Sequence, residues 1–307
     1  MKFRPLPRAS VKPVVPPIKC QGIKTKLVSF ILENIRWDGA GRWVEPFLGS
    51  GVVLFSVQPA QAIVNDTNPH IVNFYRSIGD ESLTPAMVRD HLTVEGQKLM
   101  ENGEDYFYEV RRRFNQTAEP LDFLFLSRSC FNGVMRFNRK GEFNVPFCRK
   151  PERFRPAYIT KIVNQVEAVR KVMLGKDWEF RVGDWRDCLS AAKPNDFVYL
   201  DPPYIGRHTD YFSQWADEDA VDLADRAHLL PCGFALSMWK ENKYRSNDYL
   251  KRWKNVEEKI VSHFYHVGSS ESLRHEIAEA LLVRQGYVAI PTEKAKAAAA
   301  VQASMFT

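Results

Sequence analysis

The sequence contains few cysteines, and no two of them lie close together. The five cysteines are Cys20, Cys130, Cys148, Cys188 and Cys232. An odd number of widely spaced cysteines argues against a disulfide framework and against a zinc site. The histidines are equally dispersed, and the closest pair, His263 and His266, has no third ligand nearby in the sequence. We therefore expect no bound metal.

Long apolar runs and a secretory leader are also missing. No stretch approaches the roughly 20 apolar residues that a membrane-spanning helix needs. The first 17 residues contain five prolines and no acidic residue, so we expect an extended basic arm rather than a packed element or a signal peptide. The alanine-rich residues 292–307 are expected to form a flexible tail. These features predict an intracellular protein without a membrane anchor.

Between the two ends, short apolar runs alternate with helical patterns. The predicted strands are Arg42–Leu48, Ala62–Asp66, Trp178–Val182, Phe197–Asp201, Gly233–Met238 and Val256–Phe264. The predicted helices are Thr25–Ile35, Pro69–Ile78, Ala157–Met173, Asp217–Leu229, Tyr244–Trp253 and Leu273–Leu282. This alternation predicts an α/β fold with an open, mainly parallel sheet that helices cover on both faces. Residues 79–175 interrupt it and are expected to form an inserted domain.

A glycine-bearing turn follows the first predicted strand. Residues 44–51, VEPFLGSG, join that strand to an apolar helix. Glycine lets the backbone approach a ligand closely, and the start of a helix offers free amides. The next predicted strand ends at Asp66, which suits the hydroxyl groups of a ribose. The spacing predicts a nucleoside-binding unit; the alternative is a purely structural turn at Gly49 and Gly51.

A second turn carries the residues best suited to catalysis. Residues 201–204, Asp-Pro-Pro-Tyr, follow the predicted strand that begins at Phe197. Because proline has no amide proton, the turn presents an acidic side chain and free carbonyl oxygens at the ligand-binding edge of the sheet. Asp201 and the Pro202 carbonyl can accept the two protons of an amino group on a planar base, and Tyr204 can stack on that base. The alternative is an ordinary turn with Tyr204 in the core.

Positive charge is concentrated in residues 123–161. This stretch has nine lysine and arginine residues but only two acidic ones, whereas the whole chain has a net charge of +6. The basic residues alternate with Phe131, Phe137, Phe143 and Phe147, a pattern typical of nucleic-acid surfaces. Glycine within RKG at 139–141 predicts a β-hairpin turn. The alternative is a solvated basic hairpin without a ligand.

Several segments, in one order, resemble the Dam-type DNA adenine-N6 methyltransferases, which are the D12 class with α-type motif order. The matching segments are residues 22–24, VEPFLGSG at 44–51, NDTNPHIVNFY at 65–75, FLFLSRSCFNGVMRFNRKGEFNVPF at 123–147, DPPY at 201–204 and VGSSESLR at 267–274. The resemblance implies a Rossmann-like S-adenosylmethionine-dependent methyltransferase sheet over residues 18–78 and 176–291. It also implies a DNA target-recognition domain of helices and a β-hairpin over residues 79–175.

The resemblance also implies roles for individual residues. Its catalytic residues would be Asp201, Pro202, Pro203 and Tyr204. Its cofactor-binding residues would be Lys24, Glu45, Pro46, Phe47, Gly49, Gly51, Asp66, Asp184 and Asp201. Its DNA-binding residues would be Lys19, Asn132, Gly133, Arg136, Asn138, Arg139, Lys140 and Pro146. The chain departs from the family pattern at Cys20, where a tryptophan is usual, and it lacks one glycine of the usual pair next to Gly22.

The expected activity is therefore methyl transfer from S-adenosylmethionine to an adenine that is flipped out of double-stranded DNA. Residues 205–215 are expected to close over this base, with Tyr211 or Phe212 as its opposite wall; the alternative is that either ring packs in the core. The target site is open, with GATC as a first hypothesis. We expect a cytoplasmic monomer, encoded by a bacterium or a phage, with or without a cognate restriction endonuclease. Alternatives are an RNA adenine or protein amide methyltransferase, or a DNA-binding module without activity.

Overall fold

The computed structural model describes residues 12–22, 24–204, 215–242, 245–264 and 276–290. The strands in these ranges are β1 Trp43–Glu45, β2 Gln61–Asp66, β3 Asp177–Val182, β4 Phe197–Leu200, β5 Gly233–Asn242, β6 Arg245–Ser246, β7 Val256–Phe264 and β8 Glu276–Arg284. The α-helices are α1 Val28–Asn34, α2 Val52–Val57, α3 Pro69–Gly79, α4 Pro85–Thr117, α5 Pro120–Ser129, α6 Pro156–Met173, α7 Trp185–Ser190 and α8 Asp217–His228.

One sheet organises the molecule, with strand order β3-β2-β1-β4-β5-β8-β7 and β6 paired to β5. The pairs β2–β3, β1–β2, β1–β4 and β4–β5 are parallel, whereas β8 is antiparallel to both β5 and β7. The predicted α/β class with an open, mainly parallel sheet is confirmed. Strand order reverses between β1 and β4, and such a reversal leaves a ligand-binding crevice at the carboxyl ends of the strands.

Helices cover both faces of the sheet because successive strand residues point to opposite sides. Trp43 and Phe197 pack in the core that contains residues of α1 to α6. Val44 and Val198 pack in the second core, with residues of α7 and α8. Strand β1 is shorter than predicted, since Pro46 follows it directly and has no amide proton to extend the ladder.

Two predicted helices are wrong. The described part of Leu273–Leu282 belongs to β8, whose buried residues 280–283 alternate between the two cores. A strand covered on both faces forms a continuous apolar run, which periodicity does not distinguish from a buried helix. Residues 273–275 lie outside the described ranges.

The other wrong helix is Tyr244–Trp253, which contains β6 and a 3-10 helix over Asp248–Arg252. The cause is Asn247, whose side chain donates to the Trp239 carbonyl at 2.9 Å and accepts from the Tyr249 amide. These bonds fasten the segment to β5 and start a short turn instead of a long helix.

The inserted segment is built on α4, α5 and a hairpin. Helix α4 changes direction at Gly103, which has a φ of 57°. Phe137 and Phe143 face each other as an antiparallel bridge, and the Gly141 amide donates to the Asn138 carbonyl at 2.9 Å. The predicted hairpin with glycine in its turn is thus confirmed.

The described part of the N-terminal arm packs against the rest of the molecule. Pro16 and Pro17 are buried, and the Val14 amide donates to the Ser56 hydroxyl at 3.2 Å. The expectation that residues 1–17 form an arm rather than a packed element is wrong for these two prolines. The tail at 292–307 lies outside the described residues. No helix in the described ranges has the length and apolar content to cross a membrane.

Candidate active site

Four acidic side chains lie where parallel strands end. Glu45 ends β1, Asp66 ends β2, Asp184 follows β3, and Asp201 follows β4. These strands are neighbours in the order β3-β2-β1-β4. The sheet therefore brings four residues that are far apart in the sequence to a single edge, where their carboxyl groups suit a cationic ligand.

The glycine turn leaves room for a ligand at one of its two glycines. Gly49 has a φ of 50°, and a Cβ added there would meet no atom within 4 Å. Its amide donates to Asp66 Oδ2 at 2.8 Å, while the Asn68 amide donates to Asp66 Oδ1 at 2.9 Å. Gly51 differs, because a Cβ there would lie 2.5 Å from the Phe55 ring. Gly49 thus opens the surface, whereas Gly51 permits close packing.

Glu45 is buried at the centre of this edge. Its Oε2 accepts a hydrogen bond from the Trp43 indole at 2.9 Å. Burial raises the pKa of the Glu45 carboxyl to about 8, although the bond from Trp43 opposes the shift. The uncharged acid is therefore favoured at neutral pH in this structure, and a nearby cation would favour the charged form.

Asp201 forms a largely buried ion pair with Lys24. Lys24 Nζ lies 2.9 Å from Asp201 Oδ1, and the two side chains are 3% and 21% exposed. Lys24 also donates to the Tyr204 hydroxyl at 2.8 Å and to the Gly22 carbonyl at 3.2 Å. Burial, the largest single influence, would lower the pKa of Lys24, but the combined attraction to Asp201, Tyr204, Glu279 and Tyr199 outweighs it and raises the pKa. All three ammonium protons therefore have acceptors.

The hydroxyl group of Tyr204 both accepts and donates a hydrogen bond. It accepts from Lys24 and donates to Glu279 Oε2 at 2.7 Å. The side chain is 7% exposed, and Lys24 Nζ lies 4.8 Å from the centre of its ring. The turn that carries Tyr204 is rigid because Pro202 and Pro203 precede it. Because the ring is almost fully buried, a base can stack on Tyr204 only if the groups that cover the ring in this structure move away.

An aromatic cluster lies beside the glycine turn. The Phe47 ring contacts Trp185 at 6.0 Å and Trp215 at 5.4 Å between centroids. Asp184 caps α7 by accepting from the Arg186 amide at 2.8 Å, and it also pairs with the Arg186 guanidinium. Its side chain is 51% exposed. Asp184 thus has a structural role at the edge where the resemblance places the cofactor.

Seven of the eight residues predicted to bind DNA lie within residues 132–146, on the hairpin and beside it, and the eighth, Lys19, packs against this segment. Gly133, with a φ of 64°, packs so tightly on Lys19 that an added Cβ would lie 2.3 Å from its Cδ. Arg136 donates to the Asn144 side chain at 2.8 Å, and Asn138 organises the turn by accepting from the Lys140 amide. The remaining four are all exposed: Asn132, Arg139, Lys140 and Pro146.

The phenylalanines of the basic segment do not form the predicted surface alternation. Phe137, Phe143 and Phe147 are buried, and only Phe131 of the four is exposed, at 53%. These three rings pack beneath the hairpin as its core. Helix α4 holds the hairpin in this position, because the Asn115 side chain accepts from the Phe143 amide and donates to the Phe143 carbonyl. The sequence pattern grouped Phe131 with the three buried rings and did not distinguish it from them, although its position beside Asn132 and Gly133 was a signal.

One cluster outside this edge has the composition of a metal site. His91, Glu95 and Asp122 place one potential ligand atom each within 4.8 Å of one another. Arg113 donates to Glu95 at 2.7 Å and to both oxygens of Asp122 at 2.7 and 2.5 Å. The arginine thus occupies the oxygens that a metal ion would need, and the cluster forms an ion-pair network that joins α4 to α5.

Several predicted features lie outside the described residues. They are residues 205–214 of the segment expected to close over the base, which include Tyr211 and Phe212, and residues 267–274, which resemble the family. His266 and the side chain of His263 also lie outside the described residues.

Comparisons with known proteins agree with this geometry. A sequence model of the D12 class N6 adenine-specific DNA methyltransferases matches residues 21–265. A DNA adenine methylase of Serratia marcescens is 33% identical over 200 residues, which cover 61% of this chain and 68% of the relative. A type II methyltransferase of Lactococcus lactis subsp. cremoris is 27% identical over 223 residues, which cover 70% and 74%. A DNA adenine methylase of Haemophilus influenzae is 30% identical over 171 residues, which cover 52% and 54%.

Proposed function

Because this chain belongs to the D12 class of N6 adenine-specific DNA methyltransferases, we propose that it transfers the methyl group of S-adenosylmethionine to an adenine flipped out of duplex DNA. The observation that carries the proposal is the position of the Asp201–Tyr204 turn. This turn follows β4, and the glycine turn follows its neighbour β1 at the point where strand order reverses. A methyl donor and an acceptor amine can therefore share one crevice.

The cofactor site is supported by the open glycine turn and by the charge around it. Asp66 would hold the ribose hydroxyls, because each of its oxygens accepts one amide bond and retains further capacity. Gly49 and the Phe47 side chain would border the cofactor, with Glu45 and Asp184 at the same edge. Gly51 and Pro46 would support the wall of this pocket. Lys24 would contribute to it through its ion pair with Asp201.

S-adenosylmethionine supplies a methyl group already activated by a positively charged sulfur. The work of the protein is therefore alignment and charge stabilisation. Asp201 and the Pro202 carbonyl would accept hydrogen bonds from the two N–H groups of the adenine amine, and Tyr204 would stack on the base. As the N–C bond forms, the S–C bond would break and leave a neutral thioether, and the nitrogen would then lose one proton. Alignment of reacting atoms about 3–3.5 Å apart contributes several kcal/mol to catalysis. Asp201 stabilises the positive charge that develops on nitrogen.

The hairpin and its neighbouring loop would read the DNA. An arginine can bind guanine with two hydrogen bonds, and such a pair contributes about 1–3 kcal/mol of discrimination. Arg136 is the first candidate, with Asn144 orienting its guanidinium in the absence of DNA. Lys19, Asn132 and Pro146 would lie against the bases or backbone around it. Exposed Arg139 and Lys140 would contact phosphates, together with Asn138 at the turn.

The exposed Phe131 ring suits the flipping step. Removal of a base from a duplex costs a few kcal/mol, partly through lost stacking. An aromatic side chain that inserts beside the gap replaces some of that stacking. Phe131 lies next to the candidate DNA residues and is 53% exposed. We propose that it contacts the bases next to the extruded adenine.

The proposal is tested by incubating the protein with S-adenosylmethionine labelled in its methyl group and with duplex DNA, RNA or protein. We expect label only in DNA, as N6-methyladenine after digestion to nucleosides. Sequencing of methylated adenines would then identify the site, with GATC tested first. Label in RNA or in protein amides, or no transfer to any of the three, would contradict the proposal. A companion endonuclease is tested separately, by asking whether the methylated site resists cleavage by the products of neighbouring genes.

A further inference from the structure

Glu279 has an unusual environment for a carboxyl group. It lies on β8, opposite Trp239 of β5, and it is 2% exposed. Its Oε2 accepts the proton of the Tyr204 hydroxyl at 2.7 Å. Its Oε1 is buried and has no hydrogen-bond partner among the described residues. Buried polar atoms are nearly always hydrogen-bonded, so an exception of this kind needs an explanation.

The contacts of Glu279 lead directly to the catalytic turn. Glu279 accepts from Tyr204, Tyr204 accepts from Lys24, and Lys24 pairs with Asp201. The three distances are 2.7, 2.8 and 2.9 Å. This chain of contacts connects β8, the turn after β4 and the segment before α1, which are far apart in the sequence.

We propose that Glu279 is a positioning residue, which fixes the Tyr204 ring through its hydroxyl so that the ring meets the flipped adenine in one orientation. This inference rests on the proposed function. A hydroxyl that only accepts leaves its own proton free to rotate. With Lys24 as donor and Glu279 as acceptor, both the oxygen and the proton of Tyr204 have one favoured direction. The ring is thus restrained at its far end as well as at its backbone.

A role that is purely structural is less consistent with these contacts. A carboxyl group that only stabilised the sheet would gain from two satisfied oxygens, yet one oxygen of Glu279 has no partner among the described residues. A leucine at this position would bury the same volume without that cost. The position on β8, between β5 and β7, therefore carries a residue that favours the turn over the stability of the sheet.

The test is a double-mutant cycle between Glu279 and Tyr204. The variants are Glu279→Ala, Tyr204→Phe, the combination of both, and Glu279→Gln, which keeps an acceptor oxygen. The readout is the single-turnover rate of methyl transfer, together with the Kd for DNA. We expect Glu279→Ala and Tyr204→Phe to lower the rate by about 10- to 100-fold each, as for a buried polar group that loses its hydrogen-bond partner. The double variant should be no slower than the slower single variant.

The conservative variant separates positioning from charge. Glu279→Gln should retain most of the rate, because its amide oxygen still accepts from Tyr204. A rate for Glu279→Gln as low as that for Glu279→Ala would overturn the proposal in favour of a charge effect. Effects of the two single variants that multiply in the double variant would also overturn it, because Glu279 would then act independently of the hydroxyl.

Two controls keep the result interpretable. Ser237→Ala removes another buried hydrogen bond between neighbouring strands, which the Tyr199 hydroxyl donates at 2.8 Å. It should lower Tm as Glu279→Ala does but leave the rate unchanged. A second readout needs no catalysis: the NMR signal of ring-labelled Tyr204, assigned with Tyr204→Phe, should shift or broaden in Glu279→Ala and not in Glu279→Gln. An unchanged signal in Glu279→Ala would refute positioning even if the enzyme had another substrate.

Discussion

Two charged residues at the edge of the sheet are largely buried and paired with each other, whereas those at the turn of the hairpin are exposed to solvent. At the sheet edge, Lys24 and Asp201 are withdrawn from water and depend on each other. On the hairpin, Arg139 and Lys140 face solvent, and only the turn beneath them is fastened by hydrogen bonds. Substitutions at the edge should therefore be strongly coupled, whereas those on the hairpin should act almost independently and depend on salt.

The largest expected effect is on stability at the buried edge. Lys24→Met leaves the Asp201 carboxylate without its partner, and removal of one member of a buried pair costs about 3–5 kcal/mol. Urea unfolding monitored by circular dichroism measures the loss. Lys26→Met, at an exposed position two residues later, is the matched control and should change stability by less than about 0.5 kcal/mol. Equal effects from the two variants would remove the contrast between buried and exposed charge.

The next effect is a dependence of stability on pH that arises from Glu45. Its pKa in the folded protein, about 8, lies above the ordinary value of 4.5 for a glutamate, so the folded state holds the proton more tightly than the unfolded state. Stability from this group is complete below pH 4.5 and is lost as the pH rises through 8. Glu45→Gln should therefore gain stability relative to wild type by about a few kcal/mol between pH 5 and 9.

Urea unfolding of both proteins at pH 5, 7 and 9 measures this difference. A constant difference across the three values would mean that Glu45 titrates normally. The same series with a bound sulfonium analogue sharpens the test. A cation at the sheet edge should favour the charged carboxylate and shrink the pH dependence.

A smaller effect is expected for base discrimination on the hairpin. Arg136→Ala should reduce the preference for the correct site over a site with one altered base pair by about 1–3 kcal/mol. The Asp201–Tyr204 turn should be untouched, so methylation of a saturating amount of the correct DNA should change little. Competition binding with matched duplexes measures the preference. Full discrimination by Arg136→Ala would assign base reading to another residue.

The smallest effect, on the affinity for DNA, is expected at Lys140, which is exposed at the turn of the hairpin. Lys140→Ala should weaken binding to all sequences alike and reduce the slope of log K against log salt by about 1. Fluorescence anisotropy at several salt concentrations measures this slope. A loss of sequence preference in this variant would place base reading at the tip and erase the distinction between Lys140 and Arg136.

The sequence predicted the sheet edge well because its signals are local. Apolar runs that end in Glu45, Asp66 and Asp201 mark strand ends, and strand ends of a parallel sheet meet at one edge. The contacts across that edge were not predictable. Lys24 and Asp201 are separated by more than half of the chain, and no local pattern pairs them. Glu279 was missed for a different reason, because β8 is apolar on both faces and was interpreted as a helix.

The hairpin was predicted less completely. RKG at 139–141 identified its turn, since glycine favours the φ of 77° found at Gly141. The burial of Phe137, Phe143 and Phe147 depends on α4, which contacts the hairpin through Asn115. Composition alone does not reveal whether an aromatic ring between basic residues faces solvent or a helix.

The most direct test of the account is single-turnover methyl transfer by Asp201→Ala, measured beside its affinity for DNA. Loss of one preorganised group that stabilises developing charge typically slows catalysis by about 10²–10³-fold. We predict a loss at least that large with nearly unchanged DNA binding, because the hairpin does not depend on Asp201. A rate close to that of the wild-type protein would contradict the assignment of the Asp201–Tyr204 turn as the site that grips the adenine amine.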